Sequence, residues 1–370
     1  MWRLRRMRRM RRMWRLTDME KHSRLILQFH ITGRCNLQCK HCYRTDGNVE
    51  PLTYEDVIAV IEQFKDLRTE YNRRHRIQAK GHINLTGGEP FFRTDIHRIL
   101  AYLGENQDCL TYGILSNGSF LDDRMIAILK ETHVSFVQLS IDGDRAMHDS
   151  LRTAGDYDRV LHTAEVLEKK GIRTYISFTA NQDNYRFLPA VARACRRRRI
   201  TKLWSDRLVP IGNGEALETL AISSDILPDY LKTMKRAGGS LWTRTLHPHT
   251  QVTANRALQF LGTNGLVYTC SAGDRLITVD EFGNIMPCRR MPILCGSIFK
   301  TTLKEVYYHH DTFRQLRLPA IPKECRQCKY SYDCRGGARC QSYARYGSFF
   351  RADPACPLKC TPSADAESLP

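Results

Sequence analysis

The chain has 370 residues, 42% of them hydrophobic and 26% charged, which is enough apolar sequence to bury a large core. No run of eighteen apolar residues occurs and the N-terminus lacks an apolar signal sequence, which excludes a membrane-spanning helix and argues against secretion. Fourteen cysteines in such a chain indicate metal binding in a reducing compartment, so we expect a cytoplasmic protein without a membrane partner.

The N-terminal segment is basic and low in complexity. Residues 1–16 contain eight arginines and no acid, and without them the net charge of +18 falls to +10. We predict that residues 1–21 are a disordered tail or the product of a mis-assigned start codon, and that residues 363–370 are a second tail. The remaining positive charge favours an acidic substrate or partner.

From residue 24 onward, short β-rich runs alternate with amphipathic segments of helical length. The predicted strands are Arg24–His30, His82–Thr86, Leu110–Ser116, Val134–Ile141, Arg173–Ala180 and Thr201–Val209. The first helix follows Thr53, whose hydroxyl and Asp56 suit a capping box. The later helices are predicted at Thr94–Asn106, Asp122–Thr132, Tyr157–Lys170 and Arg186–Arg197. This alternation predicts an α/β fold over residues 22–215, namely a partial (β/α)6 TIM-like barrel.

Two further regions follow the predicted barrel. Residues 216–267 are predicted to be a helical connector, with helices at Ile226–Ala237 and Thr253–Leu261. Residues 268–362 hold nine of the fourteen cysteines and one clear helix, Leu303–Tyr308. Such a segment buries little apolar surface, so we expect metal binding to supply part of its folding free energy.

Three cysteines directly follow the first predicted strand. Cys35, Cys39 and Cys42 have the spacing CxxxCxxC. Three close thiolates can hold three irons of a [4Fe–4S] cluster and leave the fourth iron open to another ligand. A zinc site that lacks one ligand, or a set of buried structural cysteines, would have the same spacing.

Polar, glycine-containing turns end the next three strands. They contain Gly87-Gly88-Glu89, Ser116-Asn117 and Ser140. Each turn by itself is compatible with an ordinary turn or a helix cap. Because the carboxyl ends of parallel barrel strands share one rim, these residues together predict a functional site beside the cysteines.

The cysteine triad followed by Gly87-Gly88-Glu89 resembles the radical S-adenosylmethionine superfamily across residues 22–215. The resemblance implies that the open iron is chelated by the amino and carboxylate groups of S-adenosylmethionine. It also implies one-electron cleavage of that cosubstrate to methionine and a 5′-deoxyadenosyl radical, which abstracts hydrogen from a substrate. We therefore assign no catalytic protein side chain, because the cosubstrate carries the radical.

The same resemblance suggests which residues contact the cosubstrate. The methionine amino group is assigned to Gly87, Gly88 and Glu89, the ribose and carboxylate end to Ser140 and Arg152, the adenine to His41, and further ribose contacts to Ser116 and Asn117.

The C-terminal cysteines resemble the SPASM extension of this superfamily, which carries one or two auxiliary iron–sulfur clusters. The resemblance assigns Cys325, Cys328, Cys334 and Cys356 to a distal cluster and Cys270, Cys288 and Cys340 to a nearer one. The nearer cluster then has three protein ligands and an open iron, unless Cys295 or Cys360 completes it. A zinc ribbon remains the alternative for the CxxC pair.

Arg289 stands where anaerobic sulfatase maturases have a catalytic aspartate, which argues against formylglycine formation. Our leading hypothesis is a radical maturase of a ribosomally made peptide, with a separate leader-binding protein and an electron donor such as flavodoxin or ferredoxin. The alternative substrate is a haem, tetrapyrrole or other cofactor precursor. A zinc-ribbon nucleic-acid binder is the hypothesis from another class, but it leaves Gly87-Gly88-Glu89 unexplained and lacks a stripe of interleaved basic and aromatic residues.

Overall fold

The computed structural model describes residues 24–44, 52–263 and 266–358. Both predicted tails and Cys360 lie outside these ranges. Within them, no helix combines the length and the apolar character that crossing a membrane requires.

Ten strands form one sheet. They are β1 (Ile26–His30), β2 (Gly81–Thr86), β3 (Leu110–Leu115), β4 (Val137–Ser140), β5 (Thr174–Ala180), β6 (Lys202–Arg207), β7 (Gln251–Thr253), β8 (Leu276–Val279), β9 (Asn284–Met286) and β10 (Gly296–Ser297). Their order across the sheet is β10-β9-β8-β1-β2-β3-β4-β5-β6-β7. Strands β1 to β7 run parallel, as does β8 beside β1, and only β9 and β10 are antiparallel.

The described chain has twelve α-helices, eight between β1 and β7 and four after β10. They are α1 (Tyr54–His75), α2 (Ile96–Glu105), α3 (Asp123–Glu131), α4 (Arg145–Leu151), α5 (Asp156–Lys169), α6 (Leu188–Arg197), α7 (Leu227–Gly238), α8 (Leu241–Leu246), α9 (Leu303–His309), α10 (Asp311–Arg317), α11 (Ser331–Cys334) and α12 (Arg339–Tyr346). The predicted α/β architecture with six leading β/α units is confirmed, and the barrel is open because β1 pairs with β8 rather than with β6.

The capping box predicted for α1 is also confirmed. The Thr53 hydroxyl accepts a hydrogen bond from the Asp56 backbone at 3.1 Å, and the Asp56 carboxylate accepts one from the Thr53 backbone at 2.9 Å. Val57, Ile61 and Phe64 of this helix are fully buried in the main hydrophobic core. The apolar stripe that predicted the helix is thus the face that packs on the sheet.

The predicted helix Thr253–Leu261 is wrong. Its first residue ends β7, which extends the sheet by pairing Lys202 of β6 with Gln251, and only a short 3-10 turn forms at Gln259–Leu261. The side-chain amide of Gln259 donates a hydrogen bond to the Ser205 carbonyl. This side chain is therefore bound to the sheet and does not lie on the surface of a helix. Tertiary pairing overrides helical periodicity here.

The accessory region, residues 266–358, is bound to the barrel by more than the β1–β8 pairing. Asp353 is fully buried and accepts two hydrogen bonds from the Arg207 guanidinium at the end of β6, at 2.9 and 2.5 Å. Because β8 pairs with β1, the sheet continues across the predicted boundary at residue 268. The division of the chain into domains stays a prediction.

Candidate functional site

The loop after β1 brings the three predicted cysteines together. Burial raises the pKa of the Cys39 thiol to about 11, and the negative charges of Cys42 and Cys35 raise it further. Burial likewise raises the pKa of the Cys35 thiol, with Cys42 contributing in the same direction. These mutual effects require the three sulfurs to lie near one another. The triad is thus a compact group at the carboxyl end of the sheet.

Gly87 and Gly88 fix this loop by lying directly against its backbone. The Gly88 amide donates to the Thr32 carbonyl at 2.9 Å, and the Glu89 amide donates to the Arg34 carbonyl at 2.8 Å. A Cβ atom would lie 2.2 Å from the Thr32 oxygen at Gly87 and 2.1 Å from the Arg34 oxygen at Gly88. Gly87 also has a φ of +143°. Only glycine fits both positions without displacing the cysteine loop.

The Glu89 side chain joins the turns after β2 and β3. Its fully buried carboxylate accepts hydrogen bonds from the Ser116 hydroxyl at 2.8 Å, the Asn117 amide at 2.7 Å and the Phe91 amide at 3.2 Å. Burial raises its pKa to about 7, against the hydrogen bonds, which lower it. The sequence predicted these residues at one rim, and the structure joins the Glu89 carboxylate to the Ser116 side chain and the Asn117 backbone in one network. The Asn117 side chain also points to Cys35, with its amide nitrogen 3.9 Å from the sulfur.

The raised pKa of Glu89 has a consequence for stability. Between the ordinary pKa of 4.5 and about 7, the folded protein holds a proton that the unfolded chain has lost. The free energy of unfolding should therefore fall as pH rises through this window, by at most about 3 kcal/mol. We expect Glu89→Gln to remove this fall, measured by urea unfolding of the metal-free protein at pH 5, 6, 7 and 8.

Two buried histidines determine which quantity this experiment has to compare. Burial lowers the pKa of His82 to about 4 and that of His30 in the same direction, so both oppose Glu89 in this window. The readout is therefore the difference between wild type and variant, which should shrink as pH rises. Glu218→Gln, at an exposed position, is the control and should follow the wild type. A constant difference between wild type and Glu89→Gln would contradict the assignment.

An ion pair of Asp142 and Arg152 covers the other side of the cysteine triad. The Asp142 Oδ2 atom lies 2.8 Å from Nε and Nη2 of Arg152 and 3.3 Å from Nε2 of His41. Nη1 of Arg152 lies 3.7 Å from the Cys39 sulfur. Burial alone raises the pKa of Asp142, but the charges of Arg152 and His41 outweigh it and hold the pKa below its usual range. The Asp142 carboxylate therefore stays negatively charged and orients the Arg152 guanidinium beside the cysteine triad.

Sequence reasoning gave Asp142 no role, although it follows β4 only two residues after Ser140. Its Oδ1 atom accepts from the Thr179 amide at 2.8 Å, so it also connects the carboxyl ends of β4 and β5. Ser140 itself bonds the Ser177 hydroxyl at 3.0 Å. The only signal available in the sequence was the position of Asp142 directly after a strand.

The accessory cysteines form two groups. Burial raises the pKa of Cys340 above its usual range, and Cys288 and Cys270 add to this effect. Burial raises the pKa of Cys334 to about 12, with Cys356 and Cys325 adding to it. The Cys328 amide donates to the Cys325 carbonyl at 3.0 Å. This grouping is the one that the resemblance assigned to the nearer and the distal cluster.

Cys295 stands apart from both groups. Its thiol donates to the Ile293 carbonyl at 3.3 Å, and burial raises its pKa to about 11 with Thr312 as its neighbour. Arg290 lies beside Cys288 and Cys340 of the other group and pairs with Asp206 at 2.8 Å.

A second buried ion pair links the cysteine loop to the accessory region. Arg44 lies 3.1 Å from Oε1 of Glu281 through both Nε and Nη2, and Arg289 reaches the same oxygen at 3.4 Å. Glu281 is fully buried. Sequence reasoning missed this bridge because 237 residues separate Arg44 from Glu281, and no local pattern marks such a contact.

The donor sets fit iron–sulfur clusters better than single ions. Across the described part of the chain, no group of three or more His, Cys, Asp or Glu side chains is arranged to hold one metal ion. Zinc draws its thiolates around one centre, whereas each thiolate of a cubane binds a different iron and stands farther from the others. The triad and the two accessory thiol groups are therefore suited to iron–sulfur clusters.

The comparisons with known proteins agree with this geometry. The family model of the radical SAM superfamily matches residues 29–195, and the model of an iron–sulfur cluster-binding domain, SPASM, matches residues 270–329.

Relatives cover nearly the whole chain. The AdoMet-dependent heme synthase of Oleidesulfovibrio alaskensis is 25% identical over 92% of this chain and 89% of its own length. The mycofactocin maturase MftC of Mycolicibacterium smegmatis is 25% identical over 90% of this chain and 82% of its own length. Among solved structures, SuiB of Streptococcus suis bound to S-adenosylmethionine has a TM-score of 0.68 at 17% identity, covering 92% of this chain and 80% of SuiB. This last likeness shows a shared fold.

Proposed function

The chain belongs to the radical S-adenosylmethionine superfamily and carries the SPASM iron–sulfur extension, and we therefore propose that it modifies a haem precursor by radical chemistry. It is an enzyme that uses S-adenosylmethionine with a [4Fe–4S] cluster and has auxiliary iron–sulfur clusters. The observation that supports radical chemistry is the joint placement of two kinds of thiol site. One thiol triad lies at the rim of the sheet, and two thiol groups lie in the accessory region.

We assign the first cluster to Cys35, Cys39 and Cys42. When bound, the cluster and its cosubstrate supply one-electron cleavage of the sulfonium and a 5′-deoxyadenosyl radical that takes hydrogen from the substrate. The protein's part is to hold the cysteine loop in place. Gly87 and Gly88 do so through their backbone contacts to that loop.

The cosubstrate contacts follow from the charges around the triad. Glu89 is the acid beside Cys35 and suits the cosubstrate's amino group. Ser116 and Asn117 orient the Glu89 carboxylate through their hydrogen bonds to it. Arg152 is the cation beside Cys39 and suits the cosubstrate's carboxylate. His41 and Ser140 remain our assignments for the adenine and the ribose.

The auxiliary clusters are assigned to the two accessory thiol groups. Cys325, Cys328, Cys334 and Cys356 supply four ligands to the distal cluster. Cys270, Cys288 and Cys340 supply three ligands to the nearer one, with Arg290 beside them. The position of Cys295 near Thr312 supports its being a spare thiol.

A haem precursor is favoured over other substrates by similarity and by charge. A relative named as a heme synthase aligns over about nine-tenths of both chains. Haem precursors carry several carboxylates, which suits a chain whose net charge is still +10 without residues 1–16.

A ribosomally made peptide is the second candidate, because the mycofactocin maturase relative aligns over a similar share of the chain. For that substrate we propose a separate leader-binding protein. For either substrate we propose flavodoxin or ferredoxin as the electron donor. The many free thiols of the described chain suit a reducing compartment, so the cytoplasm is the proposed location.

One anaerobic experiment separates the two substrates. The reconstituted enzyme is incubated with S-adenosylmethionine and a strong reductant, together with iron coproporphyrin III or with small peptides encoded beside its gene. We expect 5′-deoxyadenosine to form together with a mass change of the porphyrin. A mass change confined to a peptide would establish the second candidate instead, and no 5′-deoxyadenosine in any reaction would contradict the radical chemistry.

A further inference from the structure

A cavity of about 530 Å³ opens at the amino ends of the strands, opposite the cysteine triad. Arg24 precedes β1, Arg173 precedes β5 and Lys202 begins β6, and all three line this cavity. The volume lies in the range of small-molecule sites. Because the strands are five to seven residues long, roughly 17–20 Å of sheet separates the cavity from the triad.

A stack of rings closes the cavity toward the inside of the barrel. Phe136 stacks on Tyr175 with a centroid distance of 4.4 Å, and His82 stacks on the other side of Phe136 at 5.6 Å. Gly113 makes room for this arrangement, since a Cβ atom there would lie 2.5 Å from the Phe136 ring. The rings and the three cations thus line one cavity at the amino ends of the strands.

The three cations have no acidic partner among the residues that the structure describes. No Asp or Glu lines the cavity, and no ion pair of Arg24, Arg173 or Lys202 occurs within the described ranges. Lys202 instead lies 5.1 Å from the centre of the Tyr175 ring. The acid nearest to Arg173 along the chain, Glu168, uses its Oε1 to accept from the Thr174 and Thr201 amides at 2.8 and 2.6 Å.

These charges have no counter-ion among the described residues. Arg24 and Arg173 are exposed, whereas Lys202 is half-buried. Burial lowers the pKa of Lys202, and the charge of Arg256 lowers it further. Parallel barrels carry their chemistry at the carboxyl ends of the strands, so the reaction does not require cations at the amino ends. Like charges that converge from three strands without a counter-ion are typical of an anion site.

We propose that this cavity binds a phosphate-bearing anion of nucleotide size between Arg24, Arg173 and Lys202. The two guanidinium groups offer paired donors to phosphate oxygens, and the ammonium group adds a point charge. The Ser135 hydroxyl at the same mouth is a further donor. The proposal concerns a second ligand and does not depend on which substrate the enzyme modifies.

The test uses the full-length holoenzyme under anaerobic conditions and measures binding of ATP, AMP and adenosine by calorimetry. We expect affinity to rise with the number of phosphates and adenosine not to bind. ATP should also raise the melting temperature by about 2–4 °C. Absorbance of the clusters is followed throughout, so that loss of iron to ATP is not mistaken for binding.

Two variants locate the site. Arg173→Gln and Lys202→Gln should each weaken ATP binding about tenfold or more, as expected for loss of a charged hydrogen-bonding partner. Lys202→Gln should also raise the melting temperature of the ligand-free enzyme, because burial and the charge of Arg256 disfavour the Lys202 ammonium group. Arg314→Gln is the matched control, since that arginine is 65% exposed and far along the chain, and it should change neither value.

Three results would overturn the proposal. ATP binding that is unchanged in both variants would place the anion elsewhere, for example on the arginines of residues 1–16. Equal effects of ATP and of sodium chloride at matched ionic strength would reduce the interaction to general screening. Equal binding of adenosine and ATP would show that phosphate is not recognised.

Discussion

Replacement of Cys39 with alanine should lower the formation of 5′-deoxyadenosine to below about 1% of the wild-type rate. Even residues that only orient metal ligands contribute about 10- to 100-fold, and Cys39 is one of three proposed ligands of the first cluster. It is also the thiol that Arg152 contacts, at 3.7 Å, so its loss removes the link between the cluster and the proposed carboxylate contact. The measurement is chromatography of the products after anaerobic reconstitution and reduction.

Cys109→Ala is the matched control for this experiment. Cys109 is a half-buried thiol between α2 and β3 that donates to the Asn106 carbonyl at 3.6 Å, away from the three proposed cluster sites. The variant should keep the iron content and the rate of the wild type. Wild-type turnover in Cys39→Ala, or equal losses in both variants, would refute the assignment of the triad.

Replacement of Asp353 with alanine should lower the free energy of unfolding by about 3–5 kcal/mol, because it leaves the buried Arg207 charge unpaired. The carboxylate of Asp353 receives the Arg207 guanidinium at 2.9 and 2.5 Å and also accepts from the Ala338 and Ala355 amides at 3.0 and 3.1 Å. Burial lowers the pKa of Arg207, but the charge of Asp353 outweighs it and holds the pKa above the usual range. Denaturant unfolding of the metal-free protein measures the effect.

An exposed pair provides the comparison. Arg345 and Glu218 lie 3.1 Å apart with 62% and 54% of their side chains exposed, so Glu218→Ala should change stability by no more than about 1 kcal/mol. Asp353→Asn should fall between the two, because the amide oxygen still accepts from the backbone. If Asp353→Ala were no more destabilised than Glu218→Ala, the pair would not hold the accessory region to the barrel.

The parallel part of the sheet could be predicted because its information is local. Each of β1 to β6 is a short run that contains β-branched or aromatic residues, and the helices between them carry apolar stripes or a capping box such as that of Thr53. Strand β8 was missed for the opposite reason. Leu276–Val279 is four residues long, and its pairing with β1 and β9 makes it a strand.

The residues of the candidate site also fall into those that the sequence could predict and those that it could not. The cysteine triad, Gly87-Gly88-Glu89 and Ser116-Asn117 are marked by spacing and by their places after strands, and the structure brings them into contact. Asp142 lies at an equally suitable place, but nothing local distinguishes a strand-end aspartate that pairs with Arg152 from one that caps a helix.

The sequence by itself narrowed the chemistry to thiol-bound metal centres, because the number and spacing of thiols beside a strand limit which cofactor the chain can bind. The tertiary structure alone decided how charges are paired. Glu281 meets Arg44, Asp353 meets Arg207, and Arg24, Arg173 and Lys202 share a cavity without a described acid. These relations depend on distances between residues far apart in the chain, which are fixed only when the strands pair and the accessory region joins the sheet.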